Sequence, residues 1–322
     1  MGKVRTVIGF EMDSVEIRAV ELMKNGSSYS VIAYGKAPLS QGVIEEGFVR
    51  KPEEFQEALA KLIKENNFSG QDVVIGVNNE NVIMRYASFP KVTPDKLRKV
   101  VLLQAQEFIP IPVNELEIDF VLAGEGKNDD DQPMSNVLLV AARTSMLEQL
   151  TTLFSASRLQ VIDIDSSMLA WLRAAQSQNG EATFGLLKIT DDMLNFIALS
   201  KGELKMVRSL AIPERAARQV KDAFVYGTSI LPEDIEAIGD MLAGEISSSL
   251  GYYQMQGFDP MDVIYFSAEM KMQNEVADRM RASSYVPIVV PEFYSELQAA
   301  SDDFKAKDYI GCLSLAMQAL EG

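Results

Sequence analysis

Gly9-Phe10-Glu11-Met12-Asp13-Ser14-Val15-Glu16-Ile17-Arg18-Ala19-Val20-Glu21-Leu22 reads as a strand end, a polar turn and a second strand. The residues before the turn, from Val4 to Phe10, are largely apolar, as a strand covered on both faces should be. After it, Val15, Ile17 and Ala19 alternate with Glu16, Arg18 and Val20, the period of two that a strand imposes. Asn25-Gly26 is a strong hairpin signal, and Tyr29, Val31 and Ala33 begin a third strand. A helix follows with Pro52 in its first turn and Phe55, Leu59, Leu62 and Ile63 on one face. Asp72 to Val77 returns as a strand.

The same order recurs in the second part of the chain. Phe184 to Ile189, Met193 to Leu199 and Leu204 to Ile212 read as three strands, with Lys201-Gly202 as a turn. Helical segments, a strand at Val263 to Phe266 and a helix at Gln273 to Ala282 complete the repeat. Two copies of a strand-meander-then-helix unit predict a duplicated α/β fold. Two unrelated α/β units that each contain hairpins would give the same pattern.

Between the copies lies a block of another kind. Val82 to Phe89 is a strand, and Thr93-Pro94-Asp95 opens a helix that Pro110 and Pro112 stop. Leu97, Val100, Val101 and Phe108 line one face of that helix. Leu116 to Leu122 and Val137 to Ala142 are strands, joined by an acidic loop from Gly124 to Pro133. A helix (Ser145 to Ser155), a strand (Leu159 to Ile164) and a helix (Ser166 to Ala175) lead back out.

Composition excludes several classes of function. The 322 residues carry a net charge of −16, with 47% hydrophobic and 24% charged residues. That balance argues against nucleic acid, whose phosphates demand a basic face, and against a polybasic grip on lipid. No apolar run approaches the ~18 residues that span a bilayer, and no secretory leader is visible. The single cysteine, Cys312, excludes internal disulfides and suits a reducing compartment. Histidine is absent, so Ser-His-Asp and Cys-His triads and the usual zinc sites are excluded.

Four stretches resemble the PilM family, relatives of FtsA within the actin-like fold. They are Gly9 to Leu22, Glu107-Phe108-Ile109-Pro110-Ile111-Pro112 with Glu117 to Phe120, Gly244 to Tyr253, and Tyr309 to Ala316. The resemblance implies an α/β, duplicated actin-like (ribonuclease H-like) ATPase fold with an inserted strand-helix-strand-strand subdomain. It implies a first half over 1–80 and 159–180, the insert over 81–158, a second half over 181–300, and a C-terminal helix over 301–322 packing back on the first half. It further implies a cytoplasmic protein, peripheral at the inner membrane, that grips the N-terminal cytoplasmic tail of a bitopic PilN-like partner in a pilus or type II secretion machine. Contacts with an assembly ATPase or platform protein, and self-association, belong to the same expectation; direct membrane insertion does not. The tail would lie against the insert, with Arg85, Tyr86, Phe89, Leu97, Val101 and Phe108 as candidate contacts. Ordinary core is the competing role for each apolar member, and Arg85 and Tyr86 are the two expected to be exposed.

An ATPase of this fold cradles phosphates in two hairpin turns, which need glycines for close backbone approach, hydroxyls as donors, and an Asp to position magnesium. This sequence departs at each. The family's Asp is Glu11, its Gly is Asp13, and only Ser14 remains of the hydroxyl run. The second turn reads Lys188-Ile189-Thr190-Asp191-Asp192, and Ser267-Ala268-Glu269 stands where the adenine-side glycines belong. Glu11, Asp13, Glu16, Asp191 and Asp192 would crowd the turns, each like-charge pair costing about 4 kcal/mol at ~4 Å and an effective dielectric near 20. The expectation is therefore no bound cofactor, ATP and magnesium being disfavoured, and no ATPase activity. Lys188 could instead serve as a cation in place of metal. A working ATPase or switch in the same machinery, and a small-molecule kinase using Asp191 or Asp192, are the alternatives.

Overall fold

The computed structural model describes residues 5–128, 130–190, 192–224, 230–268, 272–297, 299 and 303–321. Three antiparallel strands open the chain, β1 (Thr6–Met12), β2 (Glu16–Asn25) and β3 (Ser28–Pro38). A short hairpin, β4 (Ile44–Glu45) and β5 (Phe48–Val49), leads to helix α1 (Pro52–Glu65) and to β6 (Asp72–Val77). The insert comprises β7 (Val82–Pro90), α2 (Pro94–Gln104), β8 (Leu116–Lys127) and β9 (Pro133–Arg143), followed by α3 (Thr144–Ala156). The strand β10 (Gln160–Ser166) and helix α4 (Ser167–Asn179) return to the first sheet.

The second half contains β11 (Phe184–Ile189), β12 (Met193–Ser200) and β13 (Glu203–Ala211), then α5 (Glu214–Phe224) and α6 (Pro232–Met255). After these come β14 (Val263–Ala268), α7 (Gln273–Arg281), β15 (Ile288–Val289) and α8 (Ile310–Glu321). The two large sheets run β10-β6-β1-β2-β3 and β13-β12-β11-β14-β15. In both, three strands form an antiparallel meander, a fourth strand joins the first of them in parallel, and a fifth pairs in parallel with the fourth. Strand for strand this is one topology used twice, and the fold is a duplicated α/β fold.

Each large sheet is covered on both faces, which explains its unbroken apolar strands. Ile8, Phe10, Ile17 and Ala19 face α1 and α3 through Phe55, Leu59, Met146 and Phe154. Val7, Val20 and Leu22 face the other way, into a core shared with α4, α8 and the second sheet's Phe184, Leu186 and Ile197. The helix α8 lies so close to β1 that a Cβ at Gly9 would collide with the Cys312 carbonyl. Glycine is required there for packing.

The small sheet has the order β7-β9-β8, all antiparallel. One face holds α2 through Ala87, Phe89, Leu97, Val101, Val137 and Leu139. The other face gives Met84, Ala123 and Leu138 to the shared central core. The hairpin β8–β9 runs further than its sequence suggests. The predicted loop from Gly124 to Pro133 shortens to 128–132, because Gly124 sits at φ 131 beside a register shift, where the ladder continues past it. Of the acidic tip, Asp129 lies outside the described residues.

Candidate functional site

The turn between β1 and β2 faces the second half, and the backbone N–H groups of Asp13, Val15 and Glu16 are already taken. One Asp13 carboxylate oxygen accepts from the N–H groups of Val15 and Glu16, both at 2.9 Å. The other accepts from Arg18 at 3.2 Å, and the same guanidinium donates to Glu16 at 2.8 Å. Arg18, Asp13 and Glu16 are 3%, 7% and 2% exposed. Such a nest of N–H groups beside a cation is what a phosphate would occupy; here a side-chain carboxylate fills it. Lys36 adds a weaker positive charge at 3.8 Å from Glu16.

The repulsion expected between Asp13 and Glu16 is not what the first turn shows. Asp13 and Glu16 share one buried guanidinium, so the first turn is an ion-paired cluster. The signal was present in the sequence: Glu16 and Arg18 are two residues apart on one strand and therefore on one face. Glu11 is also apart from the turn. It is buried on β1 with its carboxylate against Gly311 in the first turn of α8, where the helix N-terminus favours negative charge.

The second turn has a similar internal economy. Thr190 donates its hydroxyl to Asp192 at 2.6 Å and accepts from the Met193 N–H at 3.0 Å. Asp191 and Glu269 lie outside the described residues. Lys188 and Ser267 are buried and face each other in register on β11 and β14. The Lys188 ammonium stands 4.2 Å from the centroid of the Trp171 ring on α4, a cation–π contact that sequence reading missed.

A cleft of about 1030 Å³ opens between the halves. Asp13, Ser14, Asn78, Glu46 and Glu80 line it from the first half, and Asp192, Lys221 and Asp222 from the second. Asn195 bridges its edge by donating to Asn78 at 3.2 Å. Of the sequence-predicted loop residues, Asp13 and Ser14 line this cleft, whereas Glu11, Lys188 and Ser267 do not.

The predicted tail contacts are placed differently from one another. Phe89, Leu97 and Val101 are 0%, 5% and 0% exposed and form the core between α2 and its sheet. Their side chains offer no surface, because an insert this small needs them for its own interior. Phe108 is half-buried and meets Phe89 with ring centroids 5.2 Å apart. Tyr86, expected to be exposed, packs against the central core beside Glu203, and burial pushes its hydroxyl pKa up. Arg85 is exposed. A separate groove, unforeseen in the sequence, runs between the start of β8 and α3. Glu117, Thr144, Leu147, Glu148, Thr151 and Thr152 line it.

Two halves of one topology around a cleft, each contributing a hairpin turn to its wall, make this an actin-like protein. The family model for type IV pilus assembly protein PilM matches residues 9–212, more than half of the chain, and the chain belongs to that family. A solved PilM-PilN type IV pilus biogenesis complex contains a chain of similar fold, at 19% identity and TM-score 0.81, covering 98% of this chain and 99% of that one. The ethanolamine utilization protein EutJ from Carboxydothermus hydrogenoformans is also similar, at 11% identity and TM-score 0.54 with 98% and 90% covered. Among the described residues no helix is long and apolar enough to cross a membrane.

Proposed function

We propose that this chain is an adaptor of a type IV pilus or secretion assembly platform, held beneath the inner membrane by the cytoplasmic tail of a bitopic PilN-like partner, and that it works without ATP turnover. The observation that carries the second part is the Asp13 carboxylate on the N–H groups of Val15 and Glu16. A phosphate entering there must displace a buried, ion-paired side chain. The partner reading draws support from the family membership and from the similar chain found in complex with PilN.

The groove between β8 and α3 suits such a tail. β8 is an outer strand of its sheet, so an extended segment could pair with its backbone. Glu117 and Glu148 give the groove a negative sign that matches basic residues flanking a membrane span.

The test is titration of the full chain with a peptide copying the N-terminal tail of the bitopic protein encoded beside it. Saturable binding that weakens with salt and is lost in Leu147→Asp supports the reading; unchanged binding in that variant, or none in the parent, removes it. Calorimetry with Mg-ATP on the same protein is expected to give no saturable heat. The cleft is large enough for a nucleotide, so a saturable signal there would favour the switch reading instead.

A further inference from the structure

We infer that the outer crest of α2 is a contact surface for the headgroup region of an anionic phospholipid membrane. The observation is a local reversal of charge combined with exposed leucines. Between residues 85 and 107 the sequence carries five basic side chains (Arg85, Lys91, Lys96, Arg98 and Lys99) and two acidic ones (Asp95 and Glu107), in a chain of net charge −16. Lys96, Lys99 and Leu103 follow one another at helical spacing along the side of α2 opposite its buried Leu97 and Val101.

Leu103 is 83% exposed, and Leu102 beside it is 42% exposed. Arg98 is tied to Asp119 at 2.8 Å and Lys91 to Glu125, but among the described residues neither Lys96 nor Lys99 makes an ion pair. Past the helix end, Pro110 and Pro112 are exposed and Ile111 half-exposed, extending the apolar end. The result is a short helix whose outer side sets the cations Lys96 and Lys99 beside the exposed Leu103, a combination that suits a membrane interface.

A lipid surface conforms to a convex helix crest without a complementary groove. Salt confines electrostatic attraction to about 8 Å at physiological ionic strength, so a lipid phosphate at α2 feels Lys96 and Lys99, opposed locally by Asp95 and Glu107, and little of the acidic surface beyond them. The contact would be weak alone and effective when another contact holds the chain at the bilayer. It does not depend on how the tail binds.

The experiment is co-sedimentation of the full chain with phosphatidylglycerol-containing vesicles and with neutral phosphatidylcholine vesicles, at low and high salt and millimolar lipid. Partitioning onto the anionic vesicles alone is expected, with about a tenfold or greater drop in Lys96→Glu/Lys99→Glu and about a threefold drop in Leu103→Ser. Both variants keep tail-peptide binding, which separates this surface from the groove. Absence of sedimentation, equal sedimentation with neutral lipid, or full binding by the variants overturns the proposal. Equal competition by soluble polyglutamate, with no loss in Leu103→Ser, would assign the crest to an acidic protein instead.

Discussion

At Arg18 a guanidinium that is 3% exposed joins two carboxylates from one turn. Replacing it with methionine keeps most of the volume and removes the charge. Two buried anions then lose their shared partner, so Arg18→Met should cost about 3–5 kcal/mol in urea denaturation at neutral pH. Gly311 is a second sensitive position, since a Cβ there collides with the Glu11 carboxylate. Gly311→Ala should lower stability by about 1–3 kcal/mol through overpacking, visible as a lower melting temperature. At this scale the sequence exposed the unusual residue types in the phosphate turns. It did not disclose that Asp13 would fold back on its own turn, because a carboxylate beside free N–H groups can either repel a ligand or replace it.

Helix α2 illustrates what periodicity can and cannot say. Its apolar positions were legible, and Leu97 and Val101 do lie on one face. Whether the chain itself or a partner covers that face is not written in the pattern, and here the insert's own sheet covers it. Phe89→Ala should therefore behave as a core truncation, costing about 3–5 kcal/mol, whereas Leu103→Ser, on the outer side, should stay within about 0.5 kcal/mol. Thermal melts of the two variants distinguish the sides directly. The exposed leucines escaped notice in the sequence for the same reason: position on the crest depends on where the small sheet lies. The hairpin β8–β9 outran its predicted loop because one glycine with positive φ lets the ladder pass a bulge.

Across the whole molecule, aromatic residues tie the C-terminal segment to the first half. Tyr34, Phe304 and Tyr309 form one cluster, with ring centroids 4.9 and 5.7 Å from Tyr34 to its neighbours. Tyr29 donates to Glu321 at 2.8 Å, and burial, then that bond, pushes its pKa up to about 12. Burial also raises the hydroxyl pKa values of Tyr294, Tyr253 and Tyr309. Each phenol thus holds its proton more tightly folded than unfolded, so the associated stability is complete below the unfolded value of about 10 and is lost as pH rises above it. Urea midpoints should be level from about pH 8 to 10 and fall beyond, while absorbance at 295 nm reports tyrosine ionisation together with unfolding. The duplication was legible because the order of strands repeats; the cleft was not, since the spacing between two halves is set by side chains that meet across it, such as Asn195 and Asn78.

The placement of α8 has a consequence for how the protein is made. Residues 310–321 fill the floor beneath β1, β2 and α4, yet a ribosome delivers them about three hundred residues after the strands they cover. The opening sheet must wait, with an apolar face uncovered, while the whole second half is synthesised. Nascent chains arrested before Ile310 should accordingly be the species that chaperones retain, and release should come late and all at once.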